Sequence, residues 1–342
     1  MTDSWNRPIP EVVEMPKAEL HLHLDGAPRW SAVRAALDRH YGTILPETPI
    51  WYEPHFRFAS FAEFGALFRE YTHAWLRTPT GYTELIREVL DALIAQSIRY
   101  AEINFNVRLV EEFGQCFEAV LESLAIEAER ARAQGTIVRW FAGISRDKGI
   151  DQAAYWVQRI LPTPLFVGFD LHGIEPGHSA ALFQQVFAPA LEAGKKLKVH
   201  AGEMAGADSI QSAIQIGAVQ IGHGLSAIAD PEVIALLRDL QIVIELCPTS
   251  NERLCNIPSY QSHPIFELDA AEVLVTINSD DPTFFGCNLT QEMVRLVQER
   301  NATLTDLKRW TENALHHAVL GEAERSSILA ELNEWLTTNS YA

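Results

Sequence analysis

Eight short apolar runs of β character, separated by segments with helical periodicity, constrain the fold of this chain more than any other feature of it. They lie at 18–23, 98–104, 137–143, 166–171, 197–201, 219–222, 242–247 and 273–278. Several are continuous rather than alternating, as in Ile242-Val243-Ile244-Glu245-Leu246, the pattern of parallel strands covered on both faces. The segments between them are amphipathic. From 82 to 97, Leu85, Val89, Leu93 and Ile94 share a face, and from 116 to 133, Val120, Leu121, Leu124 and Ile126 form an apolar side. Pro231 suits the first turn of a helix running to Leu240, where its missing N–H costs nothing. Eight strand–helix repeats in 342 residues predict an α/β fold, a (β/α)8 TIM barrel, as one domain over 1–342. A doubly wound open sheet would not set the first strand beside the eighth, whereas closure does.

The connection between the first and second runs, from 24 to 97, is far longer than a strand–helix unit needs. It carries Trp51, Tyr52, Phe56, Phe58, Phe61, Phe64, Phe68, Tyr71 and Trp75. The helical, aromatic-rich insertion at about 27–97 is therefore expected either to roof the barrel mouth as an apolar lid or to pack as a satellite core on its side. After Asn288 the chain reads as helices to its end.

Acidic residues outnumber basic ones 45 to 27, a net charge of -18, and such a surface repels phosphate backbones and anionic headgroups, which argues against nucleic acid and membranes as partners. The compact basic cluster Lys195-Lys196-Leu197-Lys198 reads as a solvated loop ahead of a strand. No apolar run approaches the roughly 20 residues that span a bilayer, and Met1-Thr2-Asp3-Ser4-Trp5 lacks a secretion pattern, so a cytoplasmic location is expected. Cys116, Cys247, Cys255 and Cys287 show no Cys-x-x-Cys spacing and are expected to be reduced, buried thiols. No Gly-x-Gly-x-x-Gly or P-loop pattern offers a nucleotide cradle.

The chemistry sits where the runs end. His21-Leu22-His23 closes the first, and side chains two apart on a strand leave the same face, roughly 7 Å apart, so both imidazoles can reach one ion. Alone, the pair also fits two polar residues on a strand edge. Three further runs end in His200-Ala201-Gly202-Glu203, Gly222-His223-Gly224 and Ser279-Asp280-Asp281-Pro282, and barrels build their sites at these strand ends. His21, His23, His200 and Asp280 form a nitrogen and oxygen ligand set without thiolate, which suits one catalytic Zn2+ with an open position, or another divalent transition metal. Such an ion lowers the pKa of its water to about 7. His223 is placed to orient and deprotonate that water, and Glu203 to shuttle a proton, so Glu203, His223 and Asp280 form the expected catalytic group. A lone loop glutamate is ordinarily just solvated, and a histidine between glycines is ordinarily a turn residue. What separates these two is their attachment to metal-bearing strand ends. Gly222 and Gly224 let the backbone bend tightly around His223.

Together, His21-Leu22-His23-Leu24-Asp25-Gly26-Ala27, His200-Ala201-Gly202-Glu203, Ile221-Gly222-His223-Gly224, Cys247-Pro248-Thr249-Ser250-Asn251 and Asn278-Ser279-Asp280-Asp281-Pro282 resemble the adenosine deaminase family of metal-dependent hydrolases, nearly end to end. The resemblance implies a single Zn2+ and hydrolytic removal of the exocyclic amine of a small-molecule purine, adenosine or 2'-deoxyadenosine becoming inosine or 2'-deoxyinosine plus ammonia. It implies that His21, His23, His200 and Asp280 hold the metal, Glu203 protonates the ring nitrogen beside the attacked carbon, and His223 serves the water. It also implies that Asp281 bonds the imidazole-side nitrogen, the Gly173 backbone meets the pyrimidine-side nitrogen, and Asp25 receives a ribose hydroxyl. The chain departs from the family pattern at His172, where a small residue is common, at Ile174-Glu175-Pro176-Gly177, at Asn251-Glu252-Arg253-Leu254-Cys255, and at Gln220, where arginine is frequent. Relatives acting on free adenine tend to carry Glu in place of Asp25, which tilts the expectation to a nucleoside, with adenine and N6- or 5'-substituted adenosines as alternatives. A binuclear amidohydrolase would want a bridging Lys or Glu after the fourth run, which reads Phe169-Asp170-Leu171-His172-Gly173. A non-catalytic zinc-binding barrel would not need His223, Glu203 and Asp281 together, and the cysteine pair of nucleic-acid deaminases is missing.

Overall fold

The computed structural model describes residues 7–339. Eight strands, β1 (Lys17–His23), β2 (Ile98–Asn106), β3 (Ile137–Ser145), β4 (Phe166–His172), β5 (Lys196–Ala201), β6 (Gln220–His223), β7 (Val243–Leu246) and β8 (Leu274–Ile277), pair in chain order, every neighbour parallel. Helices lie between them, as the continuous apolar runs require.

Closure is made by side chains as much as by backbone. The Asn278 Oδ1 accepts the N–H groups of Leu20 (2.8 Å) and His21 (3.1 Å), the Asp280 N–H donates to the His21 carbonyl (3.1 Å), and the His23 N–H donates to the Asp280 carbonyl (3.0 Å). These bonds bring both ends of the chemistry-bearing sequence to one rim. Between β5 and β6 the register sets His200 against Gly222 and Ala201 against His223, which adds the other two histidines to that rim.

Three expectations need correction. Lys196 and Lys198 belong to β5 rather than to a solvated loop, and Lys198 is buried inside the barrel, its ammonium 2.9 Å from Glu245 and 3.2 Å from Glu102. Charge in a short lysine run says nothing about burial once two strand carboxylates can surround it. All four cysteines are free, but Cys116 and Cys255 are exposed; only Cys247 and Cys287 are buried. The helix expected to reach 97 is Gly81–Ala95, and Ser97 adopts a left-handed conformation (φ 59) before β2. Pro231 does open the helix Pro231–Asp239, with the Asp230 side chain capping it. No helix among the described residues is long and apolar enough to cross a membrane.

The aromatics of the insertion fall into two groups. Trp51 and Tyr71 pack against Trp30 at ring separations of 5.1 and 5.2 Å, continuous with the hydrophobic core of the barrel. The helix Phe61–Glu70, whose first turn is capped by the Ser60 hydroxyl, presents Phe61, Phe64 and Phe68 to a cavity at the barrel mouth.

Candidate active site

That cavity, about 240 Å³, has His23, His200, His223, Glu203, Asp280 and Asp281 among its walls. A larger one of about 600 Å³ lies near Trp30, Tyr52 and Gln291 but touches none of the histidines, so the chemistry belongs to the smaller.

Three imidazoles and one carboxylate converge. The Nε2 atoms of His23 and His200 are 3.2 Å apart, and Asp280 Oδ1 lies 3.4 Å from Nε2 of both His21 and His23. The tautomers follow from the far side of each ring. His21 Nδ1 lies 2.8 Å from Glu245 Oε2 and His200 Nδ1 lies 3.0 Å from Asp170 Oδ1; a carboxylate only accepts, so both Nδ1 atoms carry a proton and both Nε2 atoms face the cluster. His21 Nε2 is buried without a hydrogen-bond partner. Burial opposes charge on His21, yet Asp280 and Glu245 raise its pKa to about 10, so the cluster as built attracts a cation. His23 and His200 are lowered to about 3, chiefly by burial, and stay neutral. Neutral imidazole lone pairs facing an ionised carboxylate are a fitting ligand set for a divalent metal. Cys247 Sγ also comes within ligand range of His21 and Asp280, but burial holds it as a thiol. The ring of His21 needs a bare backbone opposite: a Cβ on Gly222 would sit 2.8 Å from its Cε1.

His223 stands beside the cluster in a left-handed conformation (φ 64), as does Asp280 (φ 64), the two non-glycine residues of the cavity wall held so. Its Nδ1 lies 3.1 Å from the Asn251 amide, whose oxygen is 3.1 Å from Nε2 of His263, while its Nε2 points toward Glu203 Oε2 at 3.7 Å. Glu203 is fixed from its other side by the Asn256 amide at 3.0 Å. Burial first, then the charges of Asp280 and Glu175, push its pKa up to about 8. Asp281 is raised well above the carboxylate range, again by burial and then by Asp280, and its Oδ1 is buried without a partner. Asp280 itself stays ionised and accepts from the Ser250 hydroxyl at 2.7 Å. Asp25 Oδ2 lies 2.8 Å from His73 Nε2, a residue of the insertion, and Gly173 lines the same cavity beyond His172.

All the expected site residues line this cavity except His21, which is buried behind it with its Nε2 3.4 Å from Asp280. The sequence reading missed the groups behind them: Glu245, Asp170, Asn251, Ser250, Asn256, Glu175 and His73. A signal existed for two, since Asp170 and Glu245 are lone carboxylates inside otherwise apolar strands.

A sequence profile of the adenosine deaminase family matches residues 16–335. The chain is 31% identical to an aminodeoxyfutalosine deaminase of Streptomyces avermitilis over 95% of this chain and 92% of that one. It is 34% identical to an adenine deaminase of Sinorhizobium medicae, over 93% and 98% respectively. Among solved structures, an adenine deaminase from Arthrobacter aurescens superposes with a TM-score of 0.85 at 26% identity, covering 94% of this chain and 99% of that one. With its barrel, its strand-end cluster and this match along nearly its whole length, the chain belongs to the adenosine deaminase family of metal-dependent hydrolases and is an aminohydrolase acting on a purine-like substrate.

Proposed function

We propose that the chain hydrolyses the 6-amino group of a 9-substituted 6-aminopurine, with adenosine and 2'-deoxyadenosine as the simplest substrates and ammonia as co-product. The observation that carries this reading is the pair of buried carboxyls beside the histidine cluster: Glu203 and Asp281 are both held protonated, so each presents a donor to the cavity. A 6-aminopurine ring offers acceptors at N1, N3 and N7. Glu203 suits N1, the Gly173 N–H suits N3, and Asp281 suits N7.

His21, His23, His200 and Asp280 would hold one Zn2+, which when bound supplies a Lewis acid and a water acidified to near neutral pH. Glu203 passes its proton to N1 as oxygen adds at C6, so the ring avoids accumulating negative charge. His223, whose Nδ1 accepts from the Asn251 NH2, keeps its proton on Nε2 and so would orient the attacking water rather than deprotonate it. The Glu203 carboxylate left by proton transfer to N1 would take up the water's proton, and the C6 hydroxyl proton would leave with the amine as ammonia. The phenylalanines of the 27–97 insertion act as the lid that keeps bulk water from this exchange.

Beyond these groups the cavity extends to Asn106, Arg108, Ser145, Asp147 and Lys148, polar partners that a bare base would leave unused, and Asp25 stands where a ribose hydroxyl would enter. A second reading, free adenine, is favoured by the engagement of Asp25 with His73 at 2.8 Å and by the adenine deaminases among the relatives. Ammonia release from adenosine, 2'-deoxyadenosine, adenine, a 5'-thioether adenosine, an N6-methyladenosine control scored by methylamine, and aminodeoxyfutalosine separates them. The nucleoside reading expects kcat/KM at least about tenfold above adenine for one nucleoside, a difference of about 1.4 kcal/mol. The opposite ranking selects the second reading, and amine release from none of them defeats both.

A further inference from the structure

Glu175 lies in the Ile174-Glu175-Pro176-Gly177 segment that departs from the family pattern, yet it is only 4% exposed. Its carboxylate is filled by four consecutive backbone donors from the turn after β5. Oε1 accepts from the Gly202 N–H (2.5 Å), and Oε2 accepts from Glu203 (3.1 Å), Met204 (2.8 Å) and Ala205 (3.1 Å). That turn is forced at its first residue: Gly202 has φ +71, and a Cβ there would lie 2.5 Å from the Ser226 hydroxyl and 2.6 Å from Ile210. Four N–H groups aimed at one point repel one another unless an anion gathers them.

Resting on the reading in which Glu203 protonates N1 and Gly173 meets N3, we propose that Glu175 is a positioning residue for the deamination, its carboxylate tying the segment that carries Gly173 to the turn that carries Glu203. Gly173 and Glu175 leave the same strand end, two residues apart, so one anchor sets the spacing between the groups that read opposite edges of the pyrimidine ring. Asn256 fixes only the far end of the Glu203 side chain; the direction in which that side chain enters the cavity is decided by the backbone that Glu175 holds. The charge of Glu175 also adds to burial in keeping Glu203 protonated.

Only a carboxylate can do this. An ionised glutamate is acceptor-only with about four lone-pair sites, whereas a glutamine offers one oxygen and turns two donors toward donors. Glu175→Gln is therefore the disruptive change, and Glu175→Asp, one methylene shorter with the charge kept, is the conservative one. Both are compared with wild type as metal-loaded full-length protein, on whichever purine of the panel above wild type turns over fastest, with bound metal measured in each. The expected result for Glu175→Gln is a kcat loss of about 10²-fold at nearly constant KM and unchanged metal content, since general-acid positioning is worth about 10²–10⁴. Glu175→Asp, which keeps the charge but reaches less far, should recover part of that loss and remain about three- to tenfold below wild type. Equal rates for Gln and Asp, a Gln variant within about threefold of wild type, or a loss confined to KM would overturn the proposal. Should the Gln variant not fold, Glu175→Asp decides alone: a kcat about three- to tenfold down at constant KM supports the role, and an unchanged kcat rejects it. Failure of the underlying reading is seen separately, as a Glu203→Gln enzyme that keeps its rate.

Discussion

Glu203, in the role proposed for it, needs a proton at a pH where an exposed glutamate is ionised. Its pKa, pushed up to about 8 by burial and then by Asp280 and Glu175, puts the proton in place at neutral pH and removes it as pH rises. As the proposed general acid it is competent below about 8 and lost above it, so kcat/KM measured against pH should fall along a basic limb centred near that value. Glu203→Gln, which keeps the shape and loses the acid, should lower kcat about 10²- to 10⁴-fold with metal still bound; a rate within a few-fold of wild type would remove the proton donor from the mechanism. Asp25→Ala discriminates substrates: the nucleoside reading expects a large rise in KM for adenosine and a small one for adenine, and equal effects on both argue against contact with ribose. These residues were legible because strand-end position and side-chain type already limit what they can do. Glu245, Asp170 and Asn251 were not, because each acts on a histidine supplied by a different strand.

At the level of elements, β2, β5 and β7 meet in a buried charge cluster that also braces the site. Lys198 holds Glu245 on one side and Glu102 on the other, and Glu245 in turn orients His21. Lys198→Met would leave two buried carboxylates uncompensated, so a loss of about 3–5 kcal/mol in urea unfolding is expected, together with weakened metal retention. Both Phe61 and Phe64 line the cavity, and the response expected at each depends on how deeply it is packed. Phe64 is 5% exposed and stacks on Phe285 at 5.0 Å, so Phe64→Ala is expected to cost about 3–5 kcal/mol of stability. Phe61 lines the cavity while only partly buried, so Phe61→Ala should raise KM several-fold with stability changed by less than about 1.5 kcal/mol. Hydrophobic periodicity could mark both rings as apolar-facing, but it could not say whether the facing partner was protein or substrate.

For the molecule as a whole, a cation bound to the cluster joins the first strand to the last across a seam otherwise closed by Asn278 and Asp280. Removing the metal by chelation should abolish turnover and lower Tm by an amount that depends on metal concentration. At a hundredfold excess over Kd the linkage is worth about 2.7 kcal/mol, which corresponds to a shift on the order of 5 °C for a chain of this size. An apoprotein with unchanged Tm and activity would exclude a metal role. By itself the sequence determined the barrel and the rim: strand number and type are written locally in apolar runs, and residues that end those runs must share one edge once the sheet closes. Only the tertiary structure decided which lysine is buried, which cysteines are exposed, which aromatics face the cavity and which carboxyls keep their protons. Those properties depend on desolvation and on charges brought together from distant strands, and no local pattern in a chain encodes the dielectric surroundings its residues will meet.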